Sequence, residues 1–153
     1  MGRRIKLRHV PPRITTGAYI LHSGLEKWKG NEDTAGYIHA MAGGAIPPIR
    51  QVPAPTFLKI LAGAEIALGA ALLNPLVPTK VVGLGLTAFS GSLLTMYART
   101  PSLHKPGSIW PSQQGIGVSK DVWMAGIGLS FLVDSGKGRR YYKKKYTEPD
   151  DEG

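Results

Sequence analysis

The chain has 153 residues and a formal charge of +9, enough length for one domain. It contains no cysteine, which excludes disulfides, thiolate catalysis, Cys-ligated zinc and iron–sulfur clusters built from this chain alone. Nucleic acid is excluded as a partner, because the positive charge flanks apolar segments instead of interleaving with aromatics on a folded face.

Residues 1–13 carry five basic residues (Arg3, Arg4, Lys6, Arg8, Arg13) and read as a basic cytoplasmic leader ending in Pro11-Pro12. A cleaved signal peptide is the other reading of a basic stretch before an apolar one, but the small-x-small site at Ala40–Ala42 lies too far downstream. The first helix is expected over about 14–28, roughly 22 Å long and therefore short for a span. Its far end is polar. His22 and Glu26 are four apart and share a face, while Lys27 and Trp28 suit a membrane interface. His22 is read foremost as a packing histidine, since no second histidine sits at a comparable depth to complete a metal or haem site.

Residues 29–55 hold four prolines (Pro47, Pro48, Pro53, Pro55) and a Gly-Gly pair, too interrupted to span. They are expected outside the membrane, with Tyr37–Ile46 lying along the interface or capping the bundle and His39 solvated. The second helix, about 56–73, is long enough to cross a bilayer and carries one carboxylate, Glu65, near its middle. An ionised side chain at that depth costs about 2.5–3.5 kcal/mol. Glu65 therefore either fixes helix packing through a hydrogen bond or forms the floor of a polar pocket, and the pocket is the favoured reading.

The third helix, about 80–98, includes eighteen residues without charge from Val81 to Ala98. Gly83, Thr87 and Gly91 recur every four residues as a small stripe for helix packing. Arg99 closes this helix, and residues 100–118 form a second external loop. The fourth helix, about 119–134, opens at Ser119 with Lys120 and Asp121 and offers Gly126 and Ser130 as another packing face. In the tail, residues 137–153, the segment containing Arg139, Arg140, Lys143, Lys144 and Lys145 suits contact with anionic lipid headgroups before an acidic end.

These elements predict an all-α integral membrane four-helix bundle in residues 14–136, multi-pass in the cell (plasma or inner) membrane. Both termini are expected in the cytoplasm by the positive-inside pattern, with two long external loops. Its external half gathers Glu26, Lys27, Lys59, Arg99, Lys120 and Asp121 above Glu65. This charge array is either mutually paired and inert or a funnel for an anion or a quinone headgroup, with Glu65 handling a proton. A small transporter or proton relay is a further reading of the same array.

Gly24-Leu25-Glu26-Lys27-Trp28, the segment AGAEIALGAALL around Glu65, and SKDVWMAGIGLSFLVD from Ser119 to Asp134 together resemble the DoxX family of small four-helix membrane proteins. The family is similar to the small membrane subunit of thiosulfate:quinone oxidoreductase. The resemblance implies a membrane subunit or anchor of a redox-associated complex, at most a non-autonomous part of a quinone-linked oxidoreductase. It also implies a protein partner and a quinone near Glu65 and Lys27, while the residues themselves suggest no metal. The alternative is a non-catalytic scaffold or accessory subunit. The chain departs from the short family form in its two long loops and in lacking cysteine.

Overall fold

Prolines set where the long helices begin. In the computed structural model, which describes residues 5–134, helix α1 covers Val10–Trp28 with Pro11 and Pro12 in its first turn. No backbone N–H is needed there and the fixed φ suits a helix, so α1 starts four residues before Ile14 and absorbs the end of the expected leader. A 3-10 turn, Leu7–His9, leads into it. Helices α3 (Ala54–Leu73) and α4 (Thr79–Arg99) follow directly on Pro53 and Pro78.

Helix α2 (Glu32–Ala45) occupies much of the expected loop. Asn31 caps it, its side-chain oxygen accepting from the Thr34 amide at 3.0 Å and the Thr34 hydroxyl at 2.9 Å, and Glu32 and Asp33 complement the positive end of the helix. Helices α5 (Ile116–Ser119) and α6 (Asp121–Val133) are separated only by Lys120, itself in helical conformation. Ser119 does not act as the expected N-cap, because the helix has already begun and its hydroxyl donates to the Ile116 carbonyl at 3.0 Å.

The described residues are helical and contain no strand, with one isolated bridge between His104 and Pro111. Three segments are long and apolar enough to cross a membrane: α3, α4 and Ile116–Val133. Helix α1 is not among them, since Arg13, His22, Glu26 and Lys27 dilute its apolar character.

The long helices form two antiparallel pairs, α1 on α3 and α4 on α6. Glycines bring the backbones together. A Cβ on Gly69 would lie 2.6 Å from the Leu21 amide nitrogen, and one on Gly128 would lie 2.9 Å from the Thr87 nitrogen. Gly83 and Thr87 thus lie at the α4–α6 seam. Gly91 and Gly126 do not, having open space where a Cβ would be, and Ser130 is exposed and bonded to the Ile127 carbonyl of its own helix. Gly128, which the four-residue pattern passed over, takes their place, because residues 126 and 130 are each about 200° around the helix from it.

At one end the two pairs close on Ile20, Leu72, Val82, Leu86 and Phe131. Arg13, only 2% exposed, fastens this end. Its guanidinium donates to the carbonyls of Ala71, Leu72, Asn74 and Val77 and to the Thr79 hydroxyl, satisfying the acceptors that the end of α3 leaves open. Asp134 closes the ring between the first and last elements. It accepts from Lys6 at 2.8 Å and from Arg8 at 2.6 Å, and lies 2.5 Å from His9 Nε2, while the His9 ring stands edge-on to Phe131. At the other end the pairs diverge and α2 packs across them, Ala42 and Ala45 clustering with Met96 of α4. The lipid-contact residues Arg139, Arg140, Lys143, Lys144 and Lys145 lie outside the described residues.

Two outcomes are expected. Gly69→Ala forces the α1 backbone away and lowers stability in detergent by about 1–3 kcal/mol, while Gly91→Ala changes it by less than about 0.5 kcal/mol; equal thermal shifts for the two variants would show that the seam is not close-packed. Hydrogen bonds from Arg8, then from Lys6, hold the Asp134 carboxyl well below its ordinary value of 3.8. A carboxyl depressed in the folded state stabilises above its unfolded pKa and loses that contribution as pH falls. The melting temperature should therefore drop more steeply between about pH 5 and pH 3 in the native chain than in Asp134→Asn, and parallel curves would remove Asp134 from the latch.

Candidate functional site

Glu65 belongs to the stripe of α3 that faces the protein interior, Leu58, Ala62, Glu65, Gly69 and Leu72, all buried. These residues recur at alternating intervals of four and three, the spacing of a helix seam. On α1 the facing stripe is Arg13, Gly17, Ile20 and Gly24, and Lys27 extends it by one more step. A Cβ on Gly24 would lie 2.9 Å from the Glu65 Cβ, so the two backbones meet beside the carboxylate. Lys27 can then reach back to it.

The Lys27 ammonium lies 3.1 Å from Glu65 Oε2 and donates to the Ser23 hydroxyl at 2.6 Å. Glu65 is 4% exposed. Such a carboxylate is tolerated only when paired and hydrogen-bonded, and removing one partner from a buried pair leaves an uncompensated charge. The ammonium has three protons; Ser23 and Glu65 take two, leaving one for a ligand.

The pair stands in the wall of a cavity of about 380 Å³, within the ~300–1,000 Å³ of small-molecule sites. Every long helix contributes to it, and α2 with the turn after it forms the roof through Ile38, Met41, Ala42, Ile46 and Ile49. Phe57, Leu61, Phe89, Leu93, Met96 and Met124 make the walls apolar, and Ser92 and Asp121 add polar groups. The three methionines give the walls adaptable surface. The Asp121 carboxyl accepts no hydrogen bond among the described residues. With all three groups ionised, Lys27, Glu65 and Asp121 carry a net charge of −1, which provides a donor, an acceptor and a place for a proton in an otherwise apolar chamber.

Of the residues expected to bind a ligand, the structure brings together Lys27, Glu65 and Asp121. His22, Glu26 and Lys120 are exposed and do not line the cavity. Arg99 donates to the Ala45 carbonyl at 3.2 Å, tying the end of α4 to the end of α2. Lys59 donates to the Trp28 carbonyl and lies 4.7 Å from the centre of the Trp28 ring, covering the end of α1. These cations satisfy helix carbonyls and do not form a funnel. His39 is half-buried instead of solvated, with Nε2 3.0 Å from the Ile49 carbonyl and the ring edge-on to Phe57. Among the described residues no cluster of His, Asp and Glu could hold a metal.

Sequence reasoning missed Ser23, and it offered Tyr37–Ile46 as a cap on the bundle without reading it as a helix that lines a cavity. Ser23 had a readable signal, being four residues before Lys27 on the same helix face. The roof had only the alternation of Ile38, Met41 and Ala42 at helical spacing, weakened by Gly36, Gly43 and Gly44.

Lys27→Met is expected to destabilise the protein by about 3–5 kcal/mol by stranding Glu65, and Lys27→Met combined with Glu65→Leu to recover most of that loss. Thermal unfolding in detergent reads both, and an unchanged melting temperature for Lys27→Met would mean that the pair is not what keeps Glu65 buried.

Comparison of the chain with protein-family models, with curated proteins and with solved structures finds no match.

Proposed function

We propose that this chain is a multi-pass protein of the cell membrane, with both termini in the cytoplasm, that acts as the membrane subunit or anchor of a redox-associated complex and holds a quinone in the cavity beside Glu65. The observation that carries the reading is the Lys27–Glu65 pair set in the wall of an apolar chamber of about 380 Å³. A quinone matches both parts of that chamber. Its ring and substituents bury against Phe57, Phe89 and the methionines, one carbonyl accepts the remaining Lys27 proton, and on reduction the new hydroxyl donates to Asp121 or Glu65. The two protons that the quinone oxygens take up on reduction pass from water through the Asp121 and Glu65 carboxyls, while the two electrons come from a partner, since the chain has no cysteine. The resemblance to DoxX supports the same assignment from the residues around Lys27, Glu65 and Asp121.

In this setting α1, α3, α4 and α5–α6 all lie in the bilayer, the basic segments at both ends face the cytoplasm, and α2 roofs the cavity at the outer surface. A second reading, a non-catalytic accessory subunit, is favoured by one observation. Ile109 and Trp110, 83% and 68% exposed, stand on the outer loop, which Tyr97 holds by donating to the Ile109 carbonyl at 2.8 Å.

Decylubiquinone titrated into the detergent-purified protein is expected to saturate at one molecule per chain. Leu93→Trp, which fills the cavity, should weaken it at least tenfold, about 1.4 kcal/mol or more, and Leu84→Trp on the outward face should not. Uptake that never saturates and is indifferent to Leu93→Trp rejects the quinone. Native mass spectrometry from the protein's own membranes showing partner subunits with lipid alone would favour the accessory role.

A further inference from the structure

Helix α1 carries a second polar stripe that the cavity does not use. Thr15, Tyr19, His22 and Glu26 are all exposed and follow one another at intervals of four, three and four residues, so they lie within a narrow band on the face opposite Gly17 and Gly24. The Thr15 hydroxyl is satisfied within its own helix by the Pro11 carbonyl at 3.0 Å. Tyr19, His22 and Glu26 make no side-chain hydrogen bond among the described residues.

Their depth is fixed by α3. Arg13 reaches the Ala71 and Leu72 carbonyls at one end, Gly69 meets Leu21 and Gly24 meets Ile66 in the middle, and Lys59 reaches the Trp28 carbonyl at the other end. The two helices are therefore antiparallel and coextensive, and α1 sits wherever the apolar α3 sits. By this register Glu26 is level with about Gly63, one turn and about 6 Å further into the helix than Lys59. In a bilayer, an outward carboxylate and imidazole below the interface need a protein neighbour.

We infer that the outward stripe of α1 is the contact through which a second copy of this chain pairs with it in the membrane. Two features favour self-association over another occupant. The stripe is self-complementary: copies inserted with the same orientation present parallel α1 helices about a two-fold axis along the membrane normal. Each side chain then comes level with its own copy, so the two Tyr19 hydroxyls meet, and Glu26 of each copy lies one turn, about 6 Å along the axis, from His22 of the other, within side-chain reach as acceptor and donor. The spacing is also that of a left-handed two-helix seam, in which one stripe serves both partners. Pairing depends on the membrane setting proposed above and is independent of what the cavity holds.

The absence of native cysteine makes the test direct. Thr15→Cys and Tyr19→Cys are made singly in the full chain, with Leu84→Cys on α4 and Leu129→Cys on α6 as outward controls, and membranes are oxidised with copper phenanthroline. Carbonate-resistant protein from each variant confirms insertion. A disulfide-linked species of two chains is expected from both α1 positions and not from the controls. Adding His22→Leu and Glu26→Leu to Thr15→Cys is expected to reduce the dimer fraction at least fivefold. Inserted Thr15→Cys and Tyr19→Cys that stay monomeric, equal cross-linking at Leu84 or Leu129, or a cross-linked product containing a different protein would each overturn the pairing.

Discussion

Glu65 can occupy the middle of an apolar helix because α1 comes close enough for Lys27 to meet it, and that closeness depends on residues with no side chain. Gly24 and Gly69 let the α1 and α3 backbones approach to a distance that any Cβ would prevent. From this approach follow the ion pair, the shared depth of the two helices and the inclusion of α1, which is not apolar enough to be counted a span by itself. The same logic operates between α4 and α6 through Gly83 and Gly128. The fold is thus two tight pairs, and the cavity is the space left where the pairs diverge towards α2.

Much of this architecture was legible because hydropathy is a one-dimensional signal. The charge-free run from Val81 to Ala98 and the single carboxylate in α3 placed two helices within a few residues of their observed limits. The beginning of α1 was less legible, since Pro-Pro reads equally as a boundary or as a first helical turn, and only the burial of Arg13 against the α3 carbonyls decides between them. Helix α2 was obscured by its glycines. A helix of low intrinsic propensity forms here because Ala42 and Ala45 find Met96 and the end of α4 to pack against, and such help is invisible along the chain.

The charged residues show the limit most clearly. Lys27, Lys59, Arg99 and Lys120 look alike in sequence, each at or near a helix end. One pairs with a buried acid, two satisfy helix carbonyls and one is exposed. Which fate a cation meets depends on what another helix leaves unsatisfied at the same level, a relation set by register between segments far apart in sequence. Of the charged residues in the resemblance, Lys27, Glu65, Lys120 and Asp121, the structure places three on one cavity and leaves Lys120 exposed.

The buried guanidinium at the head of α1 also bears on how the chain is assembled. Its acceptors, from Ala71 to Thr79, lie 58 to 66 residues further on, so a ribosome must complete the second apolar helix and the turn after it before Arg13 has anywhere to put its hydrogen bonds. Until then α1 is a weakly apolar segment with an unmet cation. In the membrane setting proposed above, the docked position of α1 therefore becomes available only after α3 and the turn beyond it have been made.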